Sequence, residues 1–135
     1  PILTASYNAS IFLNKHKESI ELTKLGLKIN PSNEALKNNL VYDLLLDNRL
    51  AEAKLKLDSI DEIKLNDKNS KISIIATRGL FHFRNNNIEV GRKMYLEAIG
   101  EFKKTKNKYM EALAFVNYAR EEILAKTDLS SIVFQ

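Results

Sequence analysis

Apolar residues recur at steps of three and four along nearly the whole chain. Leu36, Leu40 and Leu44, with Val41 and Leu45 beside them, fall on one helix face. Ile72, Ala76, Leu80 and Phe83 repeat the pattern, and so do Met94, Ala98, Ile99 and Phe102. Alternation with period two is not sustained anywhere, so strands are not expected. Polar, Asn-rich points interrupt the pattern at Asn14-Lys15-His16-Lys17, Asn30-Pro31-Ser32-Asn33, Asp47-Asn48-Arg49, Asn66-Asp67-Lys68-Asn69, Asn85-Asn86-Asn87 and Lys104-Thr105-Lys106-Asn107. These six breaks delimit seven helices. A further break is expected at Thr127-Asp128, with Asp128 as the N-cap of an eighth helix that opens on Leu129, Ile132, Val133 and Phe134. The chain reads as all-α.

The helices repeat. Asn14, Asn48 and Asn86 each follow an apolar helix end, at intervals of 34 and 38 residues. Asparagine tolerates the left-handed conformation that closes a helix, which gives the repeated position a physical role. The same intervals link Ser19, Ala53 and Gly91, small residues that let two helices approach closely. They also link Tyr7, Val41 and Gly79, and a further step of 40 reaches Ala119.

Ser19-Ile20 through Leu25-Gly26-Leu27-Lys28-Ile29-Asn30-Pro31 resembles the closing A-x6-A-L-x-x-x-P pattern of the tetratricopeptide repeat (TPR) family. Ala35-Leu36-Lys37-Asn38-Asn39-Leu40-Val41-Tyr42, followed by Arg49-Leu50-Ala51-Glu52-Ala53, is similar to its A-x-x-N-L-G-x-x-Y segment and the small residue after it. Gly79 through Gly91, Tyr95 and Ala98 fits the small-residue positions and then runs long through Lys103–Asn107. No Trp occurs, Ser10 and His82 stand where the family prefers an aromatic, and one repeat alone keeps its proline.

The resemblance implies a right-handed α-solenoid of antiparallel helix hairpins, about three and a half TPR-like repeats within a single domain. The units run 1–33, 34–71, 72–108 and, in part, 109–135. One hairpin cannot bury its apolar face, whereas stacked hairpins share a core. In this family the first helices of the hairpins line a concave groove that holds an extended peptide or a helix. Carried over by position, the groove residues are Thr4, Asn8 and Ile11, then Asn38, Asn39, Tyr42 and Leu45. Ser73, Ala76, Thr77, Leu80 and Arg84 follow from the third unit, and Val116 and Arg120 from the last. Asn8, Asn39 and Tyr42 are the more informative, because an amide or phenol facing inward can satisfy backbone groups of a ligand. Family members that clamp a C-terminal carboxylate use two Asn and three basic residues. Asn8 and Asn39 match the first pair, but Thr4, Ser73 and Thr77 occupy the basic positions, so charge-assisted carboxylate binding is disfavoured.

Composition agrees with a folded helical domain. The 135 residues are 44% hydrophobic and 28% charged, with four Gly and two Pro. Cysteine is absent, which excludes disulfides, thiolate zinc sites and cysteine nucleophiles. No apolar stretch approaches the roughly 20 residues that span a bilayer, so no membrane segment is expected. The chain does not begin with Met and reads as part of a longer cytoplasmic protein.

Catalytic and cofactor signatures (phosphate-binding glycine loops, the nucleophile elbow, H-E-x-x-H) do not occur. His16 and His82 have no metal-ligand spacing, and Asp58, Asp61 and Glu62 read as the polar face of a helix beside Lys54, Lys56 and Lys64. Neither cofactor nor metal nor catalytic residues are expected. The net charge of +4 is uneven, since residues 1–67 carry 9 Lys+Arg against 10 Asp+Glu and residues 68–135 carry 12 against 7. Lys103, Lys104, Lys106 and Lys108 could meet phosphates, yet a helix C-terminus favours such cations without any ligand.

The reading is therefore a non-catalytic module that binds a protein or peptide, as a scaffolding or regulatory part of a larger protein. A helical domain that contacts nucleic acid through its basic half, and a helical accessory domain of an enzyme, are the alternatives. A weak homodimer through the apolar C-terminal end is also expected.

Overall fold

The computed structural model describes residues 2, 4, 5 and 15–133, with side chains described through Lys126. Tyr7, Asn8, Ile11 and Asn14 of the first expected helix lie outside the described residues. Helices run α1 (His16–Ile29), α2 (Glu34–Leu46), α3 (Leu50–Asp58), α4 (Lys68–Arg84), α5 (Ile88–Lys104) and α6 (Lys108–Val133), with a short 3-10 helix at Glu62–Lys64. No strand occurs among the described residues, and the chain is all-α. It divides into two compact units, Pro1–Lys71 and Ile72–Gln135.

Three of the turns are built alike. Asn48, Asn86 and Lys106 take φ of 60°, 62° and 60°. At each, the left-handed residue's N–H donates to the carbonyl three residues back: Leu45, Phe83 and Lys103. The next N–H donates five residues back, from Arg49 to Leu44, Asn87 to His82 and Asn107 to Phe102, at 2.7–3.2 Å. This pair of bonds satisfies the last carbonyls of the helix that ends there. The carbonyls of Arg49, Asn87 and Asn107 then accept from Ala53, Gly91 and Glu111, which starts the next helix. The left-handed asparagines at 48 and 86 stand where the repeat places them. Lys106 was not anticipated in that role. The asparagine beside it is instead the cap, since Asn107 Oδ1 accepts from Met110 N at 3.1 Å.

The turn at 30–33 differs. Asn33 caps α2 by accepting from Leu36 N at 3.1 Å. Between α3 and α4 the expected helical face at Asp58–Glu62 is not formed. The α3 helix stops at Asp58, where the Ser59 hydroxyl donates to the Lys56 carbonyl, and residues 59–67 form a loop. Asp61 caps the 3-10 helix by accepting from Ile63 N, while its own N–H donates to Glu34 Oε2 at 3.0 Å. Ile60 and Leu65 are buried, so apolar packing pins this segment down as a loop and overrides helix continuation.

Also corrected is the break at Thr127-Asp128, because α6 runs on to Val133. Neither Gly nor Pro lies near it, and Thr or Asp in a helix interior costs only about 0.7 kcal/mol.

In the first unit α1 packs on α2 and α2 on α3, with Ile20, Leu40, Val41, Leu44, Leu45 and Ala53 fully or almost fully buried. In the second, Ile72, Ala98, Phe102 and Ala114 bring α4, α5 and α6 into one cluster. Beside it Phe83, Tyr95 and Tyr118 form an aromatic triangle with ring centroids 5.7–6.2 Å apart. The α4 and α5 helices meet at two glycines. A Cβ at Gly91 would lie 2.7 Å from Phe83 Cδ2 and 2.8 Å from the Gly79 carbonyl oxygen. Gly79 and Gly91 are thus a close backbone approach.

Candidate functional site

Asn38, Asn39 and Tyr42 project from α2 and are each half-buried. They lie on the helix that Asn33 caps, and Leu45 on the next turns is wholly buried. Asn38 Oδ1 is buried and has no hydrogen-bond partner among the described residues. An amide oxygen left so is a strong acceptor without compensation.

A polar network that the spacing did not reveal sits in the same unit. Asp43 on α2 is wholly buried, and the buried Ser19 hydroxyl on α1 donates to its carboxylate. His16 Nδ1 stands 3.7 Å from Asp43 Oδ1, and the Thr23 hydroxyl donates to the Ser19 carbonyl at 2.7 Å. Ser19 has the small size the repeat requires, but its hydroxyl also ties α1 to α2. The serine proton faces the carboxylate, and the imidazole reaches the other carboxylate oxygen, an order that differs from a base-activated nucleophile. The legible signal was a lone acid inside the apolar run from Val41 to Leu46.

In the second unit three of the positions expected to line a groove, Thr77, Arg84 and Arg120, enter internal bonds. Ser73 is half-buried, and Thr77, 4% exposed, donates its hydroxyl to the Ser73 carbonyl at 3.1 Å. Leu80 is buried and Val116 exposed. Arg84 and Arg120 both hold Glu121, a carboxylate only 2% exposed. Arg92 grips the next residue, Glu122, through two bonds of 2.9 and 3.0 Å, and the Tyr118 hydroxyl donates to it as well. The hydrogen bonds from Arg92, foremost, and from Tyr118 hold the Glu122 carboxyl below the usual range, against the opposing effect of burial. Adjacent acids in a basic half of the chain were the available clue to this pairing.

His82 presents its ring edge-on to Phe81, at 5.4 Å between centroids, and its Nδ1 is buried with no partner among the described residues. Burial lowers its pKa. Of the basic cluster, Lys103, Lys104, Lys106 and Lys108 are exposed around the turn from α5 to α6, with Lys104 paired to Glu101 at 3.1 Å. Thr4 is exposed, and Asn8 and Ile11 lie outside the described residues.

Among the described residues, no helix is long and apolar enough to cross a membrane, and no group of three His, Cys, Asp or Glu is placed to hold a metal ion. No protein-family model matches the chain, and neither a curated protein nor a solved structure similar to it was found.

Proposed function

We propose that the chain is a non-catalytic protein-interaction module, a helical-hairpin solenoid of the TPR type within a larger cytoplasmic protein. Its ligand is an extended peptide or a helix laid along the α2 face at Asn38, Asn39 and Tyr42. The observation that carries this reading is the α2 face itself, where the half-buried Asn38, Asn39 and Tyr42 stand together at the positions that the resemblance gives to a groove. The part of the Asn38 amide that solvent reaches would bond a peptide backbone group, a net contribution of about 0.5–1.5 kcal/mol. The three Schellman-type turns and the Gly79–Gly91 crossing support the hairpin repeat that this function uses.

The test is selection of binders from a random peptide library displayed on phage, followed by fluorescence polarisation with a selected peptide. Asn38→Ala should weaken that peptide about tenfold while the helical circular dichroism stays unchanged. Equal affinity for the parent and Asn38→Ala, or a library that yields no binder, would overturn the reading.

A further inference from the structure

The turn from α5 to α6 gathers four of the second unit's six lysines: Lys103, Lys104, Lys106 and Lys108. No acid lies between Glu101 and Glu111, and all four lysines are exposed. Lys104 holds Glu101 at 3.1 Å, an exposed pair of the kind that contributes little. Lys103, Lys106 and Lys108 enter no ion pair among the described residues.

The fold accounts for two of these lysines and not for the other two. Lys103 and Lys104 close α5, where the negative end of the helix dipole favours cations. Lys106 stands at φ 60°, a conformation that glycine or asparagine takes more readily. Lys108 opens α6, where the same dipole opposes a cation. Two local rules broken with no gain to the fold point to a role outside it. The platform is firm. The Lys106 and Asn107 N–H groups donate to the Lys103 and Phe102 carbonyls, and the Thr105 hydroxyl donates to the Phe102 carbonyl at 2.9 Å.

Chemistry narrows the ligand to a run of phosphates. In the same unit Arg84, Arg92 and Arg120 hold carboxylates, and the outward cluster contains no arginine. A guanidinium fork fits a planar carboxylate, whereas an ammonium is a point charge that follows a flexible line of phosphates. Thr105 and Asn107 are half-buried and bonded to the backbone, so residues 103–108 offer a bilayer no apolar side chain to insert. Tyr109 comes next. It has a partner within the chain and is still 55% exposed, which leaves ring surface for a base.

We propose that this turn binds the phosphate backbone of a single-stranded nucleic acid, the four lysines meeting about three phosphates and Tyr109 carrying a base. The contact is electrostatic and independent of base sequence. It goes beyond the α2 reading and does not depend on it.

Fluorescence anisotropy of the 135-residue chain with a labelled oligothymidylate is the test. Binding should appear at low salt, and the logarithm of affinity should fall against that of salt with a slope of about −2. Lys106→Glu with Lys108→Glu should weaken binding about tenfold or more, with helical circular dichroism unchanged. Lys93→Glu with Lys126→Glu removes the same charge at exposed positions, about 15 Å from Lys103 and about 27 Å from Lys108 along their helices. That second pair should cost about threefold at most. No binding at low salt, a slope near zero, or equal weakening by the two pairs would each overturn the proposal. So would tighter binding of polyglutamate, or of phosphatidylserine vesicles, than of the oligonucleotide.

Discussion

Arg84 Nε lies 2.5 Å from Glu121 Oε1, and a second guanidinium nitrogen lies 3.1 Å from Oε2. This bidentate pair joins α4 to α6 across 37 residues, and Arg120 adds a third bond to the same carboxylate. Removing one partner of a buried pair leaves a charge without compensation, which costs more than the pair contributes. Glu121→Ala should therefore lose roughly 3–5 kcal/mol in urea unfolding. Replacing both ends, with Arg84→Met and Glu121→Leu, should cost far less. Equal losses in the single and double variants would show that the carboxylate is not the element that matters.

The glycines separate close approach from open surface. A Cβ at Gly91 would meet Phe83 at 2.7 Å, whereas one at Gly100 would meet nothing within 4 Å. Gly91→Ala should overpack the crossing of α4 and α5 and cost about 1–3 kcal/mol. Gly100→Ala, in the same helix, should stabilise by up to about 1 kcal/mol because alanine is the better helix former. Ala53, wholly buried at the equivalent repeat position, should behave like Gly91 when changed to Leu. Midpoints of chemical denaturation measure all three.

Much of the helix order was legible because its punctuation is chemical. The left-handed Asn48 and Asn86, the Asn33 cap and the small residues Ala53, Gly79 and Gly91 all occupy the places their chemistry suits. Two boundaries were not legible. The 59–67 loop is held by tertiary burial of Ile60 and Leu65, and α6 passes through Thr127-Asp128 because weak helix formers do not by themselves stop a helix. Of the candidate site, Asn38 stands out through its buried oxygen, while Arg84, Arg120 and Thr77 enter internal bonds that depend on partners far away in sequence. Periodicity gives a residue's face but not the group across from it.

Lys106 takes φ 60° in a turn built like those at Asn48 and Asn86, where asparagine holds the left-handed position. A side chain with a Cβ is strained there, by about 1 kcal/mol or more relative to glycine. Lys106→Gly should raise stability by about 1 kcal/mol, and Lys106→Asn by less. The control is Asn48→Val, which should destabilise, since a β-branched residue is the worst fit to this conformation. A loss of stability in Lys106→Gly would mean that the lysine side chain makes a contact that outweighs the backbone strain.

His82 gives the fold a pH dependence of definite sign. Burial lowers its pKa in the folded protein, while in the unfolded chain an imidazole titrates near 6.5. Above that value both states are neutral and the residue contributes nothing. As the pH falls through about 6.5 the unfolded chain takes up the proton first, so stability drops and goes on dropping until the folded pKa is passed. Glu122, whose carboxyl is held low by Arg92, acts further down, its stabilisation being lost as the pH falls through its lowered value. The two effects separate by substitution. His82→Gln should flatten the unfolding free energy between about pH 7 and 5.5 and leave the steeper acid loss in place. Glu122→Gln should do the reverse. An unchanged slope in His82→Gln would mean that the ring accepts its proton as readily in the folded protein as in water.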